Sequence, residues 1–216
     1  QERGRKRIEL GIAFPVEEDM GDYQRNMQLG ESMSCRCYGF VENLDTPEIY
    51  DAALEARFQS ILQDFGPDIV HIFGTEFPHT LACVRVFGHP ERTLISIQGL
   101  CSCIAEEYMA DLPMKVQRQV TLRDRIRQDS LRQQQKKFKK RGEHEKEALG
   151  MAGHVAGRTD FDREQTAKIN PSAKYHYLNE TLRGIFYRDR WKRTVCQPYS
   201  IFLSQGDYPL KGFHYL

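Results

Sequence analysis

The stretch Ile69-Val70-His71-Ile72-Phe73, framed by Gly66-Pro67 and Gly74, restricts the fold more than any other part of this chain. Its apolar run is continuous rather than alternating, and a short run of this kind between turn formers reads as a strand buried on both faces. Such strands belong to parallel sheets, whose neighbours are joined by helical crossovers. The preceding segment supplies one. Thr46 reads as its N-cap and Pro47 as its first helical residue, and Tyr50, Leu54, Phe58, Ile61 and Phe65 recur at helical spacing up to Gly66. Ile8 to Phe14 alternates as a short strand does. Further strand-like segments fall at Thr93 to Gln98, His154 to Gly157, Lys174 to Tyr177 and Ser200 to Leu203. Helical stretches separate them, the longest from about Lys115 to Leu149. This alternation predicts an α/β fold: a doubly wound, mainly parallel, Rossmann-like sheet with helices on both faces and ligands beyond the carboxyl ends of its strands.

Several function classes fall away on composition. With 216 residues, 40% hydrophobic and 28% charged, the chain has the profile of a folded domain and not of a disordered one. No apolar run approaches the ~20 residues of a membrane-spanning helix. The six cysteines stand as Cys35-Arg36-Cys37, Cys101-Ser102-Cys103, Cys83 and Cys196, with no Cys-x-x-Cys pair. No metal is therefore expected, and without a secretory signal the thiols are expected to be reduced and the protein cytoplasmic. Neither a Gly-x-Gly-x-x-Gly fingerprint nor a P-loop occurs, so nucleotide binding cannot be read directly. No Gly-x-Ser-x-Gly elbow points to a hydrolase nucleophile. The chain opens on Gln1, with neither an initiator Met nor a first buried strand ahead of the basic run Arg3 to Arg7, and the amino terminus is expected to be trimmed.

Three segments that follow strands carry the most chemistry: His71-Ile72-Phe73-Gly74-Thr75-Glu76-Phe77-Pro78-His79, Ser96-Ile97-Gln98-Gly99-Leu100, and Ser204-Gln205-Gly206-Asp207-Tyr208-Pro209-Leu210-Lys211-Gly212. Between them lie Gly157-Arg158-Thr159-Asp160-Phe161-Asp162 and Asn170-Pro171-Ser172-Ala173-Lys174-Tyr175. In order and spacing these resemble bacterial retaining glycosyltransferases of the large group that includes glycogen synthase and sucrose synthase. The resemblance covers nearly the whole chain and implies the first of two Rossmann-like domains set face to face, the GT-B arrangement. Residues 1–199 would form the acceptor-side domain, and 200–216 the first strand and phosphate turn of a donor-binding domain. It also implies transfer of a sugar from a nucleotide-sugar, as substrate and not cofactor, to a glycan or lipid-linked hydroxyl with retention of configuration.

By the same resemblance Lys211, Gly212 and Gln205 fall at the donor diphosphate, although Gln205 stands where the family usually has an Arg and brings no charge. Gln98-Gly99 falls where a His-Gly or His-Asp pair touches the transferred sugar. An amide there can position a hydroxyl but cannot act as a general base. From their place beyond a strand end, Glu76 and His79 are candidate acceptor contacts. His71, inside its strand, is expected to satisfy a core hydrogen bond. Arg158 is a candidate anion contact or a partner of Asp160 or Asp162. A non-catalytic module that binds carbohydrate or anionic surfaces is the alternative.

Between Lys115 and Arg141 eleven Lys and Arg face two acids, a segment charge of +9 that leaves −8 on the remainder. Val116, Val120, Leu122, Ile126, Leu131 and Phe138 are expected to form an apolar side packed on the sheet while the cations project outward. The segment is a candidate for docking at an anionic membrane, on the inner face of the cell, and no nucleic-acid partner is expected.

Overall fold

The computed structural model describes residues 8–29, 33–179, 181–188, 190–202 and 208–215. The chain begins with a strand, β1 (Leu10–Val16), and a hairpin, β2 (Tyr23–Leu29) and β3 (Met33–Val41). Together they form a three-stranded sheet in the order β1-β3-β2, with β1 parallel and β2 antiparallel to β3. As the central strand, β3 buries Cys35 and Cys37 on one face and Tyr38 and Phe40 on the other. Seven residues with polar Gln24, Arg25, Asn26 and Gln28 among them give β2 little apolar signal, and the sequence reading assigns no strand there.

A helix, α1 (Ala53–Phe65), leads to the second sheet. The expected start at Thr46 is wrong by two turns. Thr46 closes a turn, its carbonyl accepting from Ile49 N at 3.0 Å, and the Asp51 carboxylate accepts from Ala53 N at 2.9 Å instead. The expected stop holds, with Gly66 left-handed at φ 62°.

The second sheet comprises β4 (Val70–Phe73), β5 (Thr93–Ser96), β6 (His154–Gly157) and β7 (Lys174–Tyr177), all parallel and in that order. The helices α2 (Pro78–Phe87), α3 (Cys101–Glu107), α4 (Met114–Gln117), α5 (Leu122–Arg127), α6 (Leu131–Met151) and α7 (Asp160–Ile169) connect or flank these strands, and α8 (Ile185–Arg188) follows β7. The fold is thus α/β, with a four-stranded all-parallel sheet flanked by helices. Because β4 to β7 follow one another in space, right-handed crossovers carry the connecting helices to one face. There Ile72, Ile95 and Val155 pack with Leu54 and Phe58 of α1, Leu81 and Val84 of α2, and Ala148 and Leu149 of α6.

β4 is not buried on both faces, as its apolar run suggested. It forms the edge of its sheet: Ile72 faces the core, while Phe73 is 63% exposed and His71 is also exposed. An edge strand has a neighbour on one side only, and no pattern within the strand records which side is empty.

Two other expectations fail. The helix expected from Lys115 to Leu149 is three helices, because Thr121 with Asp124 and Ser130 with Gln133 each form a capping box that starts a new one. Val116, Val120, Leu122 and Ile126 consequently lie exposed instead of packing on the sheet; Phe138 is half-buried against Tyr108. The strand expected at Ser200 is absent over Ser200, Ile201 and Phe202, which join neither sheet of the described residues; residue 203 lies outside the described residues.

Candidate functional site

The carboxyl ends of β3, β4 and β5 open on one cleft. It is the mouth of a cavity of about 590 Å3 that includes Phe73, Glu76, Phe77, His79, Gln98 and Arg141 in its lining. Three residues singled out from the sequence, Glu76, His79 and Gln98, therefore meet in space.

Glu76 folds back over the end of its own strand. Its Oε2 accepts from Thr75 N at 2.8 Å, and that position depends on the glycine at 74. A Cβ on Gly74 would lie 2.3 Å from that oxygen, and one on Gly99 3.4 Å from Oε1. Gly74 also takes φ 86°, a conformation that favours glycine. The Gln98 Cγ lies 3.9 Å from the same Cβ point on Gly74, so the carboxylate and the amide flank one glycine.

His79 occupies the first turn of α2, just after Pro78. Its backbone N–H donates to Glu42 Oε1 at 3.1 Å, and its ring Nδ1 lies 2.6 Å from Glu42 Oε2. Glu42 immediately follows β3 and is only 6% exposed. A carboxylate at a helix N-terminus is favoured by the helix dipole, and here it also fixes the imidazole. With Nδ1–H given to the carboxylate, Nε2 is the nitrogen left to accept a hydrogen bond. The ring is parallel to Phe77, with centroids 5.7 Å apart, and edge-on to Phe40 at 5.6 Å.

Arg141, from α6, donates through Nε to Glu76 O at 2.9 Å, and its guanidinium lies over the rings of Phe138 and Phe77 at 4.6 and 5.8 Å. Sequence reasoning counted it only within a basic run. A contact between residues 65 positions apart leaves no local signal. Glu42 was likewise unread, for want of any motif around it.

Beneath the cleft lies a buried carboxylate. Glu145 is 1% exposed and accepts from Cys101 N at 2.8 Å, Ser102 N at 3.0 Å, Ser102 Oγ at 2.6 Å and Thr75 Oγ1 at 2.7 Å. The N-terminus of α3 is thereby occupied by the protein's own anion. Thr75 Oγ1 also lies 3.3 Å from Gly99 O, so the loops after β4 and β5 are tied to α6 at one point.

His71 does form the hydrogen bond expected of it, with Nε2 2.7 Å from Ser96 Oγ of the neighbouring β5, but at an exposed position and not in the core. Its packing, including Phe73 at 4.1 Å, desolvates the ring and lowers its pKa. His71 and Gln98 also line a neighbouring cleft of about 440 Å3 that holds Arg158 with Asn179 and Thr181. Arg158 meets Asp162 through its main-chain N–H, 3.1 Å from Oδ2, while Asp160 pairs with Arg163. Lys211 lines neither cleft. It ends a short 3-10 turn, followed by Gly212 at φ 77°, with its Nζ 5.4 Å above Tyr208, which stacks on Tyr108. Gln205 lies outside the described residues.

Cys83 reaches the cavity wall, but burial pushes its thiol up to about 12, far from thiolate at neutral pH. Among the described residues no cluster of His, Cys, Asp or Glu is arranged to hold a metal ion, and no helix is long and apolar enough to cross a membrane. No known protein family, curated protein or solved structure matches the chain.

Proposed function

We propose that the chain is the acceptor-side domain of a retaining, nucleotide-sugar-dependent glycosyltransferase of the GT-B kind, and that the cleft at Glu76, His79 and Gln98 receives a glycan or lipid-linked acceptor. The observation that carries this reading is the meeting of those three side chains in one cavity whose lining also includes Phe73 and Phe77. A saccharide offers hydroxyls that both donate and accept, and ring faces that pack on aromatics. A carboxylate, an amide and an imidazole acceptor set among apolar walls match that chemistry.

In this reading Glu76 accepts from acceptor hydroxyls, Gln98 both donates and accepts, and Nε2 of His79 orients the hydroxyl that is to be glycosylated. Catalysis by this domain is positioning and exclusion of water. Stabilisation of the diphosphate leaving group falls to the donor side, where Lys211, Gly212 and Gln205 are assigned by resemblance. Arg158, which lines the adjoining cleft together with Gln98, would meet an anionic group of either substrate.

The test has two arms. Titration of an oligosaccharide panel followed by ligand-observed NMR should show binding that Glu76→Ala and His79→Ala each weaken at least ~tenfold, the loss of a hydrogen bond to a charged or oriented group. The full-length protein should hydrolyse one nucleotide-sugar slowly and transfer it faster when acceptor is added. Absence of saccharide binding together with absence of turnover would remove the proposal.

A membrane contact is favoured by one observation of its own. Leu122 and Ile126 are 76% and 75% exposed beside Arg123, Arg125 and Arg127 on α5, an apolar and cationic surface suited to an anionic leaflet. The same surface would bring the domain to a lipid-linked acceptor. Sedimentation with anionic and neutral liposomes decides it: equal recovery in both pellets excludes the contact.

A further inference from the structure

The two sheets share a helical layer but no ladder. Among the described residues β1 pairs with β3 alone and β4 with β5 alone, so each has one edge of backbone groups without a ladder partner there. Both edges border the same cavity: Gly11, Ala13 and Pro15 form one wall and Val70 to Phe73 the other, with Phe58 and Ile61 of α1 beneath. Apart from Tyr38 and His71, its polar side chains gather at the mouth already described, and the remaining lining is apolar. Ile69 and Phe73 are 68% and 63% exposed along it.

The walls run in the same direction. Glu42, one residue beyond β3, holds His79, which stands a few residues beyond β4. The carboxyl ends of β3 and β4 therefore lie together, and β1, parallel to β3, points the same way.

Two unpaired parallel edges facing one apolar slot are what a sheet shows where a strand is missing. Exposed edges of this kind invite pairing, and native proteins normally cover them. We infer that the slot receives a parallel, apolar β-strand supplied by the same polypeptide upstream of Gln1, which joins the two sheets into one. A strand parallel to β1 needs a crossover of a dozen or so residues to reach it. A second copy of the chain fits less well. Its own edge strands are bound into its sheets and can add to one open edge, but they cannot enter a slot walled on both sides.

The inserted strand has a consequence for the ligand cleft. Its carboxyl end emerges between Glu42 and Gln98, so the residues that follow it complete the rim on which Glu76 and His79 stand.

Hydrogen exchange by mass spectrometry tests the proposal on two lengths of the protein: the chain beginning at Gln1, and the chain extended by the residues its gene encodes upstream. Exchange over Leu10–Val16 and Val70–Phe73 should slow at least ~tenfold in the longer chain, while Thr93–Ser96, already paired on both sides, stays the same. Ala13→Glu, which sets a carboxylate on the slot wall, should return β1 and β4 to the rates of the shorter chain. Unchanged Thr93–Ser96 exchange in that variant shows that it has folded. Equal exchange in both lengths overturns the inference. So does protection that appears in the shorter chain as its concentration rises, which would make a second copy the occupant, or an upstream coding sequence with no apolar run. No saccharide or nucleotide is present in these measurements, so their failure leaves the glycosyltransferase reading to its own test.

Discussion

Replacing Glu145 by Gln changes one charge and almost no volume, and it tests whether a buried carboxylate ties the loops of the candidate site to α6. In the native protein each carboxylate oxygen receives two donors: Thr75 Oγ1 and Cys101 N on Oε2, Ser102 N and Ser102 Oγ on Oε1. Gln can keep an oxygen toward one pair only. If it faces Thr75 and Cys101, its amide meets Ser102, whose hydroxyl can turn to accept but whose backbone N–H cannot. One buried donor is then left unpaired, at about 1–3 kcal/mol, and the retained bonds lose the charge that strengthens them, for a total of roughly 2–4 kcal/mol. In a domain of this size that lowers the melting temperature by roughly 5–12 °C. Glu145→Ala strands every donor and should cost about 3–5 kcal/mol. Urea unfolding followed by circular dichroism measures both, with an unchanged m-value in the Gln variant. A loss below ~0.5 kcal/mol for Glu145→Gln would show that the four donors do not depend on the carboxylate, and the reasoning about the latch would be refuted.

Gly142→Ala should destabilise by about 1–3 kcal/mol in the same assay, since its Cβ would lie 2.7 Å from the Ser102 Cα, where backbone and not a yielding side chain stands in the way. Gly74→Ala imposes a left-handed backbone on alanine, about 1–2 kcal/mol, and displaces the Glu76 carboxylate. Saccharide binding should therefore fall with it, read by the same NMR titration. His71, His144 and His176 all have pKa values lowered from 6.5, in each case chiefly by desolvation. As pH falls below about 6.5 the unfolded chain takes up protons that the folded one resists, so stability is full above that pH and declines below it. Urea midpoints between about pH 8 and about pH 5 should show this fall, and His144→Leu should flatten it.

What the residues settle alone is local. The apolar run before Gly74, the helical spacing from Leu54 to Phe65 and the left-handed stop at Gly66 are properties of contiguous segments, and the strands at β5, β6 and β7 fall where periodicity puts them. So are the boxes Thr121-x-x-Asp124 and Ser130-x-x-Gln133, which were present to be read and divide a run that looked continuous from its charge. The placement of Glu76, His79 and Gln98 beyond strand ends was also legible, because a parallel sheet brings the carboxyl ends of its strands to one rim. Only the tertiary structure decided the rest. Whether β4 was central or at an edge depended on what lies beside it, and the partners Glu42 and Arg141 reached the site from 37 and 65 positions away. The burial of Glu145 required two separate segments, the loop after β4 and the start of α3, to supply its donors. Side-chain periodicity records which face of a segment avoids water, but the neighbour that covers that face, or leaves it open, is set by chain topology.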